Sequence, residues 1–416
     1  MRSLSLLFLL SFTIHFVYSQ ELSKESGNEY ITRYSNKNGT MTSSFRVNAT
    51  KPISSLSVRF EGSLKNTVVV ADGKKHDLYP DEHGDGDISE SALLIFEKPV
   101  LQVEIISGKE LTTLHNVTAI HSPQISEVSA RTQDATECEQ PELIMQSSWR
   151  SGLPAPTGSR SSAATGNIIV HHAASSNDLT DYTNVVRNIY LFHTQDRGWS
   201  DIGYNYLIAQ NGDIYAGRDP QTRKQDEVIG AHFCGRNSGT MGICLLGNLS
   251  LVPPTTEAIS SLEDLLTWKV FTDEMDPLGT NSHPLDSDLP VIAGHRDGCA
   301  TQCPGNLAYP LLPGIRSDVD VRVEECLQPP VEEERERVFA FGPNPTVTDI
   351  LTISLPENVI PEDVKFVDMN GKLFSPRLTE YDDYSMKLSF NGIPKGVYIM
   401  KIDTEDFSAT EKIIKL

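Results

Sequence analysis

Apolar periodicity changes twice along this chain, and that change limits its folds more than any single motif. Residues 20–130 alternate in short runs (SFRVNAT, SLSVRFEG, NTVVVADG, ALLIFEKP, LQVEIIS) split by turn formers such as Asp72-Gly73. Many short period-two runs without a helical period predict an all-β domain, a sandwich. From 140 to 327 strands interleave with helical patterns. IIVHHAA is a strand, and Tyr182, Val185, Val186, Ile189 and Phe192 then share one helical face, with Asp178 and Thr180 as candidate caps. YNYLIAQ and IYAGR flank a hairpin at Asn211-Gly212-Asp213, and GTMGICLLG is a buried strand. TTEAISSLEDLLTWKVF is a second helix with Thr256 as its cap, and VIAGH is a short strand ending at His295. This order predicts an α/β domain with a mixed central sheet flanked by helices. QPPVEEERERV (328–338) reads as a charged linker, and residues 339–416 return to short strands, a C-terminal β-sandwich.

Charge and the N-terminus narrow the function classes. The net charge is −21 over 416 residues, which argues against a nucleic-acid partner because no basic stripe is present to neutralise phosphates. Residues 1–19 pair Arg2 with an apolar run from Leu4 to Val17, the pattern of a signal peptide. No later stretch reaches a spanning length, so the mature chain is expected to be exported without a transmembrane segment. The stretch DEHGDGD (81–87) reads as a solvated acidic loop, its spacing fitting no calcium motif.

Six cysteines in an exported chain point to disulfides, although sequence does not give their pairing. His171, His295 and Cys303 stand out as a zinc-type donor set of two imidazoles and a thiol. His171 and His172 are adjacent on one strand, so they point to opposite faces and only one reaches a shared site; periodicity does not choose between them.

The stretch from about Ser148 to Arg316 resembles the peptidoglycan recognition proteins and zinc-dependent type-2 N-acetylmuramoyl-L-alanine amidases. The matching pieces run in order: SSW ending at Trp149, NIIVHHAA, RGWSDIGYNYLIAQNGDIYAGR, GAH with NSGTMGICLLGN, and GHRDGCATQCPG. The resemblance implies a Zn2+ held by His171, His295 and Cys303, and hydrolysis of the amide between N-acetylmuramic acid and L-alanine. It implies Tyr204 as a hydrogen-bond donor to the oxyanion, while Thr301 stands where some relatives carry a catalytic lysine. The carboxylate that some relatives use as base is missing, since Cys244 and Leu246 occupy that strand. Trp199, Arg218, His232 and Asn237 fall at substrate-contact positions; Gly198-Trp199 and Arg218 match the features associated with meso-diaminopimelate peptides. His232 also has a packing or supporting role as its alternative. With this family as frame, Cys234 and Cys299 fall in loops expected near the cleft and are expected to pair. Cys138 and Cys326 bracket the domain and are expected to staple its ends, which leaves Cys244 a buried thiol and Cys303 for the metal.

The C-terminal segment resembles the sorting domain of the type IX secretion route, with PNPT, VDMNGK, GVYI and a basic end in order. That implies a partner in the secretion machinery and a place outside, or on the surface of, a Gram-negative bacterium. The reading is a secreted amidase; the competing one is a non-catalytic peptidoglycan-binding or adhesion protein.

Overall fold

The computed structural model describes residues 19–416 except 40, 82–88, 129–137, 328–339, 356–360, 383 and 405–407. The signal segment, the acidic loop and the charged linker lie outside the described residues, save Ser19 and Asp81. The chain divides into two compact units, Met1–Leu327 and Gln328–Leu416.

The first unit begins with a nine-stranded sheet. Its longest strand, Ser44–Gly62, pairs antiparallel with Leu94–Ile106 along one edge. From Ser55 onward its other edge pairs with Leu111–Ile120. Alternate residues such as Phe45, Val47, Val58 and Phe60 turn into one apolar core, as the period-two pattern requires.

A five-stranded mixed sheet follows, in the order Ile214–Ala216, Tyr206–Ile208, Thr240–Leu245, Asn167–His172, Ile292–Gly294. The first pair is antiparallel, joined through the Asn211-Gly212-Asp213 turn, and the other pairings are parallel. Helix Tyr182–Leu191 covers one face, and helices Thr256–Thr272 and Leu312–Leu327 cover the other. Two caps differ from the sequence reading. Asp181, not Asp178 or Thr180, caps the first helix by accepting from the Asn184 amide. Thr255, one residue before Thr256, caps the second by accepting from the Ala258 amide. In each case several side chains able to cap stand in a row, and only the backbone path selects one.

The β-rich segment and the α/β segment, separable in sequence, share one core. Ile31, Leu93, Ile95 and Ile120 pack in the same apolar cluster as Trp149, Val185, Val186, Ile189 and Tyr190. Each such burial contributes about 1.5–3 kcal/mol, enough to hold the segments together. Polar contacts fix the register: the Ser54 and Ser55 hydroxyls both donate to Asn188 Oδ1 at 2.7 Å, and Arg33 meets the buried Asp196 carboxylate at 2.7 Å. Arg187, wholly buried, donates to the carbonyls of Trp149, Ser151 and Pro123, and burial pushes its pKa down to about 10.

The second unit holds two four-stranded sheets that share a core of Leu351, Ile353, Phe366, Phe390, Tyr398 and Met400. This is the two-layer arrangement expected for residues 339–416. Among the described residues, no helix is long and apolar enough to cross a membrane.

Candidate metal centre and cleft

Three parallel strands end side by side, and the site grows from their C-terminal ends. His171 sits near the end of Asn167–His172, flanked by both parallel neighbours. His295 starts the short 3-10 helix that follows Ile292–Gly294. Cys303 follows in a tied loop: its amide donates to the Thr301 hydroxyl at 3.1 Å, and its carbonyl accepts from the Arg296 amide at 3.0 Å. Asp297 braces the turn by accepting from the Gly294 amide and from the Tyr309 hydroxyl. Loops after parallel strands are where α/β sheets place their sites.

The donor atoms of His171, His295 and Cys303 all lie within 4.8 Å of one another, and all three residues are buried. Cys303 Sγ is 3.7 Å from His171 Nδ1. A tetrahedral zinc with nitrogen at about 2.0 Å and sulfur at about 2.3 Å sets those two donors roughly 3.5 Å apart. The donor set therefore fits zinc in chemistry, and the sulfur–imidazole pair lies close to that spacing. Cys234, His295 and Cys299 also converge, but those two sulfurs form a disulfide and offer no thiolates. The other disulfide joins Cys138 to Cys326; Cys244 and Cys303, both buried, take part in neither disulfide.

The histidine pair resolves by face. Ile168 and Val170 point into the core under the second and third helices, so His172 must point there as well. His172 Nδ1 accepts from the Leu249 amide at 3.1 Å, inside that layer. His171 points to the opposite face. Its ring lies 4.5 Å from that of His295 and 5.3 Å from that of Tyr204.

His171 Nε2 and His232 Nδ1 are 3.0 Å apart. If His171 offers Nδ1 to a metal, Nε2 keeps the proton and donates to His232, the usual way an outer histidine fixes an inner one. His232 Nε2 in turn lies 3.4 Å from Thr240 Oγ1. Two glycines make room for this ring: a Cβ on Gly230 or on Gly242 would sit 2.6 Å from His232 Cδ2.

Tyr204 is buried beside Cys244, which stands opposite His171 in the sheet register. Burial, more than the nearby Cys244 and Cys303 sulfurs, pushes the Tyr204 pKa well above its ordinary value. Burial likewise raises the Cys244 thiol pKa. Both groups keep their protons at neutral pH, so Tyr204 is a donor and Cys244 is neither base nor nucleophile.

A small cavity of about 40 Å³ adjoins these residues. His193, Trp199, Tyr204 and His232 line it from the α/β segment, and Asp81 and Leu93 line it from the β-rich segment. Trp199 packs against His193 with ring centroids 4.5 Å apart and the planes tilted. Arg197 pairs with Asp81 and Glu90 of the β-rich segment and lies 4.8 Å over the Phe192 ring. Arg218, Asn237 and Thr301 do not line this cavity. The Arg218 guanidinium donates to the Ile202 carbonyl and the Ser200 hydroxyl, and burial lowers its pKa. Asn237 Oδ1 accepts from the amides of His232 and Phe233, so it shapes the His232 loop.

Asp201 lies inside the WSDIGYNY motif and is a further residue that shapes the site. Its buried carboxylate accepts from Arg160, Gln146 and the amides of Ile202 and Asp219, tying four segments under the Trp199–Tyr204 loop. Burial raises its pKa against those donors. A charged residue within a buried run was the available signal. Asp81 and Leu93 carry no comparable signal, because only the long-range packing brings them to the cleft.

These features define a fold with a buried His-His-Cys donor set at the strand ends. Residues 162–306 match the family described as N-acetylmuramoyl-L-alanine amidase, and residues 341–416 match the secretion system C-terminal sorting domain. Peptidoglycan-recognition protein SC1a/b of Drosophila simulans is 32% identical over 36% of this chain and 74% of its own length. Peptidoglycan-recognition protein LB of Drosophila melanogaster is 30% identical over 40% of this chain and 66% of its own. An N-acetylmuramoyl-L-alanine amidase of Homo sapiens is 29% identical over 35% of this chain and 23% of its own. The chain belongs to the peptidoglycan recognition protein and amidase family, and it carries a secretion sorting domain at its C-terminus.

Proposed function

We propose that this chain is a secreted, zinc-dependent N-acetylmuramoyl-L-alanine amidase acting on peptidoglycan. The observation that carries the reading is the convergence of His171, His295 and Cys303, with donor atoms within 4.8 Å, beside the buried Tyr204 ring. A zinc held there would supply Lewis acidity and activation of water for attack. The chain's own residues do the rest. Cys303 and the two imidazoles would hold the ion, and His232 fixes the His171 ring. The Tyr204 hydroxyl donates a hydrogen bond to the scissile carbonyl as its oxygen gains charge. Trp199 and Arg197 form the wall for the stem peptide, of the meso-diaminopimelate type; Arg218 holds the Ser200–Ile202 turn that carries this wall. Thr301 and Asn237 position Cys303 and His232. The sorting domain directs the enzyme to the exterior or surface of a Gram-negative cell.

Mass analysis of muropeptide products, together with the zinc content of the purified chain, tests this reading. The wild type should release intact stem peptide, and Cys303→Ser should lose both metal and activity. An active protein without stoichiometric metal would refute it.

A further inference from the structure

Two cavities flank the residues that follow His171 and His172. Ala173 lines the cleft with Trp199 and Tyr204, and Ala174 lines a second cavity of about 190 Å³. Ala92 and Leu93 of the β-rich segment line both and form the wall between them. His76, Asp77 and Tyr79 line the second cavity from the first sheet, and Ser175, Asn177 and Asp178 line it from the α/β segment.

Its chemistry selects a class of ligand. Asp77 and Asp178 bring two carboxylates, and among the described residues neither lysine nor arginine lines the cavity. That disfavours a phosphate or a peptide carboxylate. Carboxylates and amides do accept from hydroxyl groups. Tyr79 and Leu251, both exposed, offer apolar faces to the carbon side of a sugar ring. Ser175 is only 3% exposed, and its hydroxyl finds no hydrogen-bond partner among the described residues. A buried polar group in that state is an invitation to a ligand or water. Asn177 is rigid, because its amide both accepts from the Asn248 amide and donates to the Asn248 carbonyl. The volume is on the order of one sugar unit, smaller than the pocket of a drug-sized ligand.

Cutting a bond between a sugar-borne acyl group and a peptide requires half of the substrate on each side of the reacting centre. We infer that the second cavity is a subsite for a neutral N-acetylated sugar of the glycan strand, and that the N-terminal β-rich segment supplies half of its wall. The inference rests on the amidase reading above and extends the substrate contact onto a segment outside the amidase-matched residues.

Calorimetric titration of the full chain with a peptide-free oligomer of N-acetylglucosamine tests it. Saturable binding is expected, weakened about tenfold or more by Tyr79→Ala. Asp77→Asn, which keeps the side-chain shape, should weaken it as well, with thermal midpoints unchanged. In kinetics, both variants should lose kcat/KM on peptide-bearing glycan oligomers and keep it on a muropeptide with a single muramic acid. No saturable binding by the wild type, or binding indifferent to both substitutions, overturns the inference. A wild type that binds the oligomer but cleaves no muropeptide would support the subsite and count against the amidase reading.

Discussion

Gly242→Ala is the sharpest test of the paired histidines. A methyl at that position would lie 2.6 Å from Cδ2, 2.7 Å from Cγ and 2.8 Å from Nε2 of His232, about 0.8 Å inside ordinary contact. The ring has no easy retreat. Gly230 crowds the same Cδ2, and both ring nitrogens are held, by His171 at 3.0 Å and Thr240 at 3.4 Å. Admitting the methyl therefore means turning the ring out of line with His171. Overpacking of this kind costs about 1–3 kcal/mol. Loss of an outer-shell partner typically costs about 10–100-fold in metal affinity. Competition with a chromophoric chelator reads the affinity, and denaturant unfolding reads the stability. His232→Ala should weaken zinc to a similar degree without the clash. Adding Gly242→Ala to His232→Ala should then cost little further stability, because the clashing ring is gone. Unchanged zinc affinity in both single variants, or fully additive stability losses, would refute the reasoning.

Other outcomes follow from the same geometry. Asp201→Asn keeps the shape but removes the charge that Arg160 faces at 2.9 Å, both side chains being buried. Breaking a buried pair costs about 3–5 kcal/mol, and denaturant midpoints check it. Opening the Cys138–Cys326 disulfide by Cys138→Ser, which closes a sequence separation of 188, should cost about 2–5 kcal/mol, read by unfolding with and without reductant. Burial, against the opposing bond to the Pro52 carbonyl, lowers the His121 pKa below 6.5. Between that lowered value and 6.5 the unfolded chain binds more protons than the folded one, so stability held above this window declines as pH falls through it. His121→Gln should flatten that decline in unfolding curves taken between about pH 5 and about pH 8.

Local patterns in the sequence determined a good deal. Period-two runs and helical stripes specify the mixed sheet and its helices, because side-chain direction alternates by rule within each element. The ordered motifs bring forward His171, His295, Cys303 and Tyr204, and the cysteine pairing read within that frame matches the two disulfides. What the sequence left open depended on partners distant along the chain. His171 and His172 differ only in the layer each faces, and the apolar packing of Ile168 and Val170 decides between them. Asn237 and Thr301 sit in motif positions, yet their polar atoms bind their own loops, and Arg218 binds the Ser200–Ile202 turn. The β-rich segment becomes a wall of the cleft only because Ile31, Leu93, Ile95 and Ile120 find the helix Tyr182–Leu191. A periodic pattern states that a face is apolar; which distant face covers it is settled only when the whole core closes.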